Sequence, residues 1–256
     1  MSHINDPLRG TVSIVTGASS GIGEATARRL AAHGSRVAVI ARRKDRLDDL
    51  VADIRSNGGN ALAITADITD RTQALSAVQT VIDTFGRLDI LVNNAGLMLL
   101  GPVADANTED WDRMIAINQH GLLAMTHAAL PHLLAAADDD LRQVADIVDI
   151  SSQAGRTASA DYAVYNMTKF GVNGFSEALR QEITQKHVRV GVLEPGAVDT
   201  ELISHNTATI QEFLAASSDI PEPLQPEDIA DGVAYMVTRP RRVSVAELWA
   251  MPTSQS

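Results

Sequence analysis

Cysteine is missing from all 256 residues, which excludes disulfides, thiolate nucleophiles and cysteine-bound metals. Basic side chains are in the minority: 21 Lys and Arg stand against 32 Asp and Glu, a formal net charge of −11. Nucleic-acid phosphates call for a basic face, so this balance argues against a nucleic-acid partner. The longest apolar stretch, GLLAMTHAALPHLLAAA (121–137), is broken by two histidines and a proline, so no membrane span is expected. The opening MSHINDPLRG lacks the basic-then-apolar order of a signal peptide. Of seven histidines, His120, His127 and His132 lie on or near one helix, but no H-E-x-x-H or comparable cluster appears, and no metal is assigned. These absences leave a cytoplasmic globular protein as the expectation.

What is present is an ample apolar supply. Hydrophobic residues make up 45% and charged residues 21%, enough for a sizeable core and too apolar for disorder. The length suits one large α/β domain over residues 1–256. Short β-branched runs, predicted as strands at Val12–Val15, Arg36–Ile40, Ala61–Thr65, Ile90–Val92, Ala145–Ile150, Val188–Leu193 and Ala246–Ala250, alternate with helical spacing at 21–33, 44–57, 70–85, 108–136, 161–186 and 227–238. Alternation of this kind predicts βαβ units and a doubly wound, Rossmann-type parallel sheet of about seven strands flanked by helices. Such sheets bind ligands beyond the carboxyl ends of their strands, at the switch in winding direction. Two segments depart from the alternation: the acidic AAADDDLRQ (135–143), and residues 201–226, which end in PEPLQP and are too rich in proline for a regular helix. The second reads either as a lid over a site or as an ordinary solvated loop.

The first strand runs into TGASSGIGEATARRL, with Gly17, Gly21 and Gly23. A glycine turn between strand and helix lets backbone N–H groups approach a pyrophosphate, and the helix N-terminus adds partial positive charge. Within that loop Ser19, Ser20 and Ile22 fall beside the same phosphates. At the end of the second strand a dinucleotide site usually places an acid for the ribose, or an arginine for a 2′-phosphate. Here the order is VAVIARRKDRL: Ala41 takes the acid's place and Arg42 and Arg43 follow. A planar guanidinium pairs well with phosphate. The alternative is a solvated basic patch, but cations near a helix N-terminus are unfavourable without an anion close by. NADP(H) is therefore favoured over NAD(H).

Five motifs fall in one order: the glycine loop, LVNNAG (91–96), DISS (149–152), YNMTK (165–169) and EPGAVDT (194–200). On them the chain resembles the short-chain dehydrogenase/reductase family, from Val12 to the C-terminus. The resemblance implies that Tyr165 is the general acid/base and that Lys169, at i+4 on the same helix face, holds the nicotinamide ribose and stabilises the phenolate. It implies that Ser152, thirteen positions before the tyrosine, polarises the substrate oxygen, while strand alternation turns Ser151 the other way. Asn118, in INQHG, completes the tetrad and would hold a relay water beyond Lys169. A phenol is a poor base at neutral pH; a nearby ammonium, the positive charge of oxidised nicotinamide and a hydrogen bond from Ser152 are together expected to bring its pKa down to about 7.

Softer implications follow for the cofactor. Asp67 would bond the adenine ring with Ile68 beside it, or else cap a helix. Asn94, followed by Ala95 and Gly96, would brace the central strand or line the cleft. Pro195 and Gly196 would form the turn beside the nicotinamide, with Val198 next along. Thr200 would bond the carboxamide or cap the following helix. The substrate pocket is expected among Gln153, Ala154, Tyr162, Ala197, Leu202 and Ile203, next to Ser152. These residues are mostly small or apolar, which suits a modest aldehyde, ketone or secondary alcohol. The stretches GLMLLGPVADANTEDWDRMI and KFGVNGFSEALRQEIT, with the closing PTSQ, are most similar to the branch of 3-hydroxy-acid and serine dehydrogenases and clavulanate-type aldehyde reductases. Family habit implies a homo-oligomer, a tetramer or dimer, through helices 108–136 and 161–186. Ala163, Val164, Phe170, Gly171, Val172 and Gly174 fit either core or interface, and Trp249 could bury against a neighbouring subunit. A sensor or scaffold on the same fold is the rival reading, although it has no need for both Tyr165 and Lys169.

Overall fold

The computed structural model describes residues 6–217 and 220–255. Its seven strands are β1 (Val12–Thr16), β2 (Arg36–Ala41), β3 (Asn60–Thr65), β4 (Ile90–Asn93), β5 (Ala145–Ile150), β6 (Val188–Pro195) and β7 (Glu247–Ala250). They form one parallel sheet in the order β3-β2-β1-β4-β5-β6-β7. The chain winds outward from β1 in both directions, which places the switch point between β1 and β4.

Period-two alternation sends successive side chains to opposite faces. Val12 and Ile14 of β1 pack on one face with Met125, Leu133, Leu179 and Ile183. Val15 packs on the other with Leu30, Leu47, Leu50 and Val233. Both faces are covered, so β1 reads as an unbroken buried run. The helices are α1 (Gly21–Ala32), α2 (Lys44–Ser56), α3 (Arg71–Phe85), α4 (Thr108–Ile115), α5 (Leu122–Ala137), α6 (Ala163–Ile183), α7 (Ala208–Ser217) and α8 (Pro226–Val237). Local chemistry sets several ends. The Asp70 carboxylate accepts the Thr72 and Gln73 N–H groups at the start of α3, and Gly86, at φ 81°, closes it. At α8, Pro226 follows a Gln225/Asp228 capping box.

Two expectations need correction. The helix expected over 108–136 is interrupted by a π-helical turn, Ala116–Gly121, between α4 and α5. Segment 201–226 is partly helical: a 3₁₀ turn spans Glu201–His205 and α7 follows. Its prolines at 221, 223 and 226 lie beyond α7, so they limit that helix instead of preventing it; residues 218 and 219 fall outside the described residues. The acidic connection is pinned. Asp139 pairs with Arg87 at 2.7 Å and accepts the Leu141 N–H, and Arg87 also clamps the buried Asp89.

The small residues of α6 divide. Val172 is in the core, whereas Ala163, Phe170, Gly171 and Gly174 are exposed. A Cβ at Gly171 would meet only the end of the flexible Gln119 side chain. Trp249 on β7 is 55% exposed, with the Arg156 guanidinium 5.4 Å above its ring. Among the described residues no helix is long and apolar enough to cross a membrane.

Candidate active site

A cavity of about 690 Å³ runs along the carboxyl ends of β1, β2, β4, β5 and β6. The glycine loop forms its floor. Gly17, at φ +65°, sits where a Cβ would meet Ala95 Cα at 2.7 Å, so β1 and β4 can close together only around a glycine. Gly23 differs from the expectation. It does not line the cavity; it packs behind it, where a Cβ would lie 2.4 Å from Asn94 Nδ2 and 2.5 Å from the Gly17 carbonyl. Its part is to let α1 approach the sheet. Asn94 takes the bracing role: its amide donates to the Thr16 carbonyl at 2.9 Å and the Gly17 carbonyl at 3.3 Å. The remaining loop residues, Ser19, Ser20, Gly21 and Ile22, face the cavity.

Beyond β2, Arg42 and Arg43 both reach the cavity, but they differ. Arg42 is exposed and, among the described residues, has no ion-pair partner. Arg43 is tied down: its guanidinium donates to Ser19 Oγ at 3.1 Å, to Ser20 Oγ at 2.8 Å and to Glu201 at 2.9 Å. The anion that a cation at a helix start calls for is thus supplied by the chain itself. Asp67 and Ile68 line the next stretch. One Asp67 carboxylate oxygen accepts the Thr69 N–H and hydroxyl, and α3 is capped by Asp70, not Asp67. Thr200 Oγ1 accepts the Leu202 N–H and so caps the 3₁₀ turn.

The far end holds Tyr165, Lys169 and Ser152. Tyr165 and Lys169 stand one helical turn apart on α6 and are 5% and 6% exposed. The ammonium lies 5.9 Å from the phenol ring centroid and donates to the Ile150 carbonyl at 2.8 Å. Ser152, in extended backbone two residues past β5, lines the cavity with Tyr165, and its hydroxyl oxygen accepts the Ala154 N–H at 3.1 Å. Ser151 points away and donates to the Lys169 carbonyl.

Electrostatically the site departs from the expectation. Burial pushes the Tyr165 phenol up to about 12, a rise that the Ser152 hydrogen bond only partly opposes. Burial also lowers the Lys169 ammonium to about 8, against the pull of Asp149. Among the surrounding groups only the Ser152 hydroxyl pulls the phenol down, and burial, the largest cause, outweighs it. Asn118 is also differently placed. Its amide donates to the Leu97 carbonyl at 2.9 Å and to Thr168 Oγ1 at 3.0 Å, and its oxygen accepts the Leu97 N–H at 2.7 Å. With both amide hydrogens committed behind the wall, this side chain ties the loop after β4 to α6.

Gln153, Ala154, Tyr162, Ala197, Leu202 and Ile203 all line the cavity around Ser152, as do Pro195, Gly196 and Val198. Sequence reasoning missed Glu201 and Gln255. Gln255 accepts the Ala197 N–H at 2.9 Å and donates to Gln153 Oε1 at 3.0 Å, bringing the chain's end into the substrate wall. Asp149, fully buried, accepts bonds from Asn93 and Ser176 beneath the site; burial pushes its carboxyl up. Among the described residues no group of three or more acids and histidines is placed to hold a metal.

The site fits a dinucleotide on its own geometry. The cleft is long, runs from a glycine-shaped loop over a helix start to a buried Tyr–Lys pair, and carries two guanidinium groups but no acid at the end of β2. Comparison with known proteins agrees. The family model for short chain dehydrogenases matches residues 11–211. An uncharacterised oxidoreductase of Listeria monocytogenes is 35% identical over 250 residues, 97% of this chain and 98% of the relative. The closed form of a serine dehydrogenase complexed with NADP+ superposes with a TM-score of 0.87 at 33% identity, covering 96% of both chains. A 3-ketoacyl-(acyl-carrier-protein) reductase from Brucella melitensis complexed with NADH gives 0.84 at 29% identity, covering 96% of this chain and 99% of that one.

Proposed function

The chain belongs to the short-chain dehydrogenase family, and from that premise we propose an NADP(H)-dependent oxidoreductase that interconverts a small carbonyl compound and its secondary alcohol. Dinucleotide-dependent oxidoreduction is the family's general chemistry; the finer assignments rest on this chain's own residues. The observation that carries them is the buried Tyr165 phenol, with Ser152 lining the same cavity and Lys169 beside its ring at one end of the cleft.

Bound in the cleft, the nicotinamide supplies or accepts the hydride. Ser152 hydrogen-bonds the substrate oxygen as negative charge grows on it. Tyr165, its proton held by a pKa near 12, donates that proton to the oxygen in the reducing direction. In the oxidising direction the phenolate must form, and the Lys169 cation favours it. Lys169, Tyr165, the Asn94–Gly96 turn and the Pro195–Thr200 turn hold the nicotinamide half; Ser19 to Ile22 hold the phosphates, with Asp67 and Ile68 at the adenine. Arg42 and Arg43 receive a 2′-phosphate, which favours NADP(H). Segment 201–226 acts as lid of a one-domain enzyme.

Substrate size follows from the wall. Ala154, Tyr162, Leu202 and Ile203 leave a small, mainly apolar pocket beside Ser152. A homo-oligomer is supported by Leu123, Met167 and Phe170, large apolar side chains exposed on α5 and α6. We place the enzyme in the cytoplasm. The decisive assay mixes the protein with NADPH and a panel of small aldehydes and ketones and follows the loss of reduced-cofactor absorbance. Tyr165→Phe is expected to lower kcat by about 10²- to 10⁴-fold with NADPH affinity kept. Undiminished turnover in that variant refutes the acid/base; silence across the panel despite tight NADPH binding promotes the sensor reading.

A further inference from the structure

Glu201 is the first residue of the 3₁₀ turn after β6, yet its carboxylate reaches the opposite bank of the cleft. There it accepts from Arg43 Nη1 at 2.9 Å and lies 3.8 Å from Arg46 Nη2. Both arginines belong to the start of α2, just past the end of β2. The same Arg43 guanidinium holds Ser19 and Ser20 of the glycine loop. One residue earlier, Thr200 packs over that loop, where a Cβ on Gly21 would meet Thr200 Cγ2 at 3.1 Å. The chain at 200–201 therefore spans the cleft mouth and puts an anion on the cations that face the adenosine end. Arg43 and Arg46 hold the Glu201 carboxyl below the usual carboxylate range, so the anion is fully charged at neutral pH.

We propose that Glu201 is an internal stand-in for the ribose 2′-phosphate, and that it tunes cofactor selectivity by competing with that phosphate for Arg43. The inference rests on the reading that Arg42 and Arg43 receive a 2′-phosphate. A dianionic phosphate and a carboxylate cannot both take the inner donors of one guanidinium without repulsion, so the phosphate must displace the Glu201 side chain. A dinucleotide without that phosphate leaves the clasp closed. Glu201 thus weakens NADP(H) selectively and leaves NAD(H) almost untouched. The pair is 43% and 42% exposed, which keeps the effect modest: displacement of an exposed ion pair corresponds to a roughly two- to fivefold change in affinity.

The test uses isothermal titration of the full chain with two probes that differ only at the 2′ position, adenosine 2′,5′-bisphosphate and adenosine 5′-monophosphate. Glu201→Gln keeps the shape and removes the charge. It is expected to tighten the bisphosphate by roughly two- to fivefold and to leave the monophosphate unchanged. An unchanged or weaker bisphosphate affinity overturns the proposal, and so does equal tightening of both probes, which would mean a generally opened cleft. Arg43→Ala separates the underlying reading. If wild type and Arg43→Ala both bind the two probes alike, the 2′-phosphate assignment itself fails and the Glu201 inference falls with it. If wild type prefers the bisphosphate through Arg43 but Glu201→Gln changes nothing, only the inference fails.

Discussion

Replacing Lys169 by methionine should abolish turnover and, at neutral pH, make the folded protein more stable. The lysine is 6% exposed, and burial lowers its pKa from 10.5 to about 8. A shift of that size means that holding the cation in the fold costs about 3 kcal/mol when the group is charged in both states. The sign is as follows. The folded pKa lies below the unfolded one, so between pH 8 and 10.5 the unfolded chain binds more protons and stability rises with pH. The penalty is full below pH 8 and gone above 10.5. At pH 7 nearly all of it is present and at pH 10 most of it is gone, a change of about 2 kcal/mol. Methionine has a similar length and no charge, so it removes the whole of that dependence.

Its absolute gain is smaller, because the variant leaves the Ile150 carbonyl without its 2.8 Å donor, an offset of about 1–3 kcal/mol. That offset is independent of pH and cancels from the comparison. The measurement is urea unfolding of both proteins at pH 7 and pH 10, with the difference in unfolding free energy taken at each. The variant's advantage is expected to shrink by about 2 kcal/mol between the two. A difference that stays constant across this range refutes the reasoning, since Lys169 would then titrate alike in both states. Loss of turnover with a gain in stability marks a charge kept in a dry place for its use there.

Two stability predictions test the frame around the site. Gly23→Ala drives a methyl to 2.4 Å from Asn94 Nδ2 and 2.5 Å from the Gly17 carbonyl; a loss of about 1–3 kcal/mol is expected in chemical denaturation, and an unchanged midpoint refutes the close-packing role. At the opposite end of the sheet, Arg189 clamps the buried Asp146 at 2.7 and 3.0 Å and donates to the Val237, Arg239 and Val243 carbonyls. Arg189→Met leaves Asp146 with Arg142 alone and is expected to cost about 3 kcal/mol without changing the affinity for NADPH. A variant as stable as wild type contradicts the clamp.

What was readable from the sequence follows the range over which each signal acts. The sheet, its switch point and the glycine loop were legible because strand runs and glycine spacing are local patterns. Tyr165, Lys169 and Ser152 were legible as members of motifs. Contacts between distant segments were not: Glu201 meets Arg43 across 158 positions and Gln255 meets Gln153 across 102. No local pattern marks either glutamate or glutamine as a cleft residue. The direction of the Tyr165 shift was also hidden. Spacing placed a cation one turn away, but the shift depends on how dry the phenol is, and burial dominates.

The π turn shows how a misplaced detail can bear on the site. The apolar pattern of 108–136 runs on as one helix because an inserted residue widens a single turn and leaves the spacing on either side intact. Within that turn Asn118 becomes buried and bonds both backbone groups of Leu97 as well as Thr168. Thr168 lies between Tyr165 and Lys169 on α6, and its hydroxyl donates to the Tyr165 carbonyl. The loop after β4, which lines the same cavity as Tyr165, is thus tied through one amide to the helix turn that carries the phenol and the ammonium. A regular α-helical turn would rotate every later residue by about 100° for the one residue removed, and Asn118 would lose one side of that tie. The turn therefore belongs with the tetrad as a positioning element: it sets where the loop after β4 stands relative to Tyr165 and Lys169.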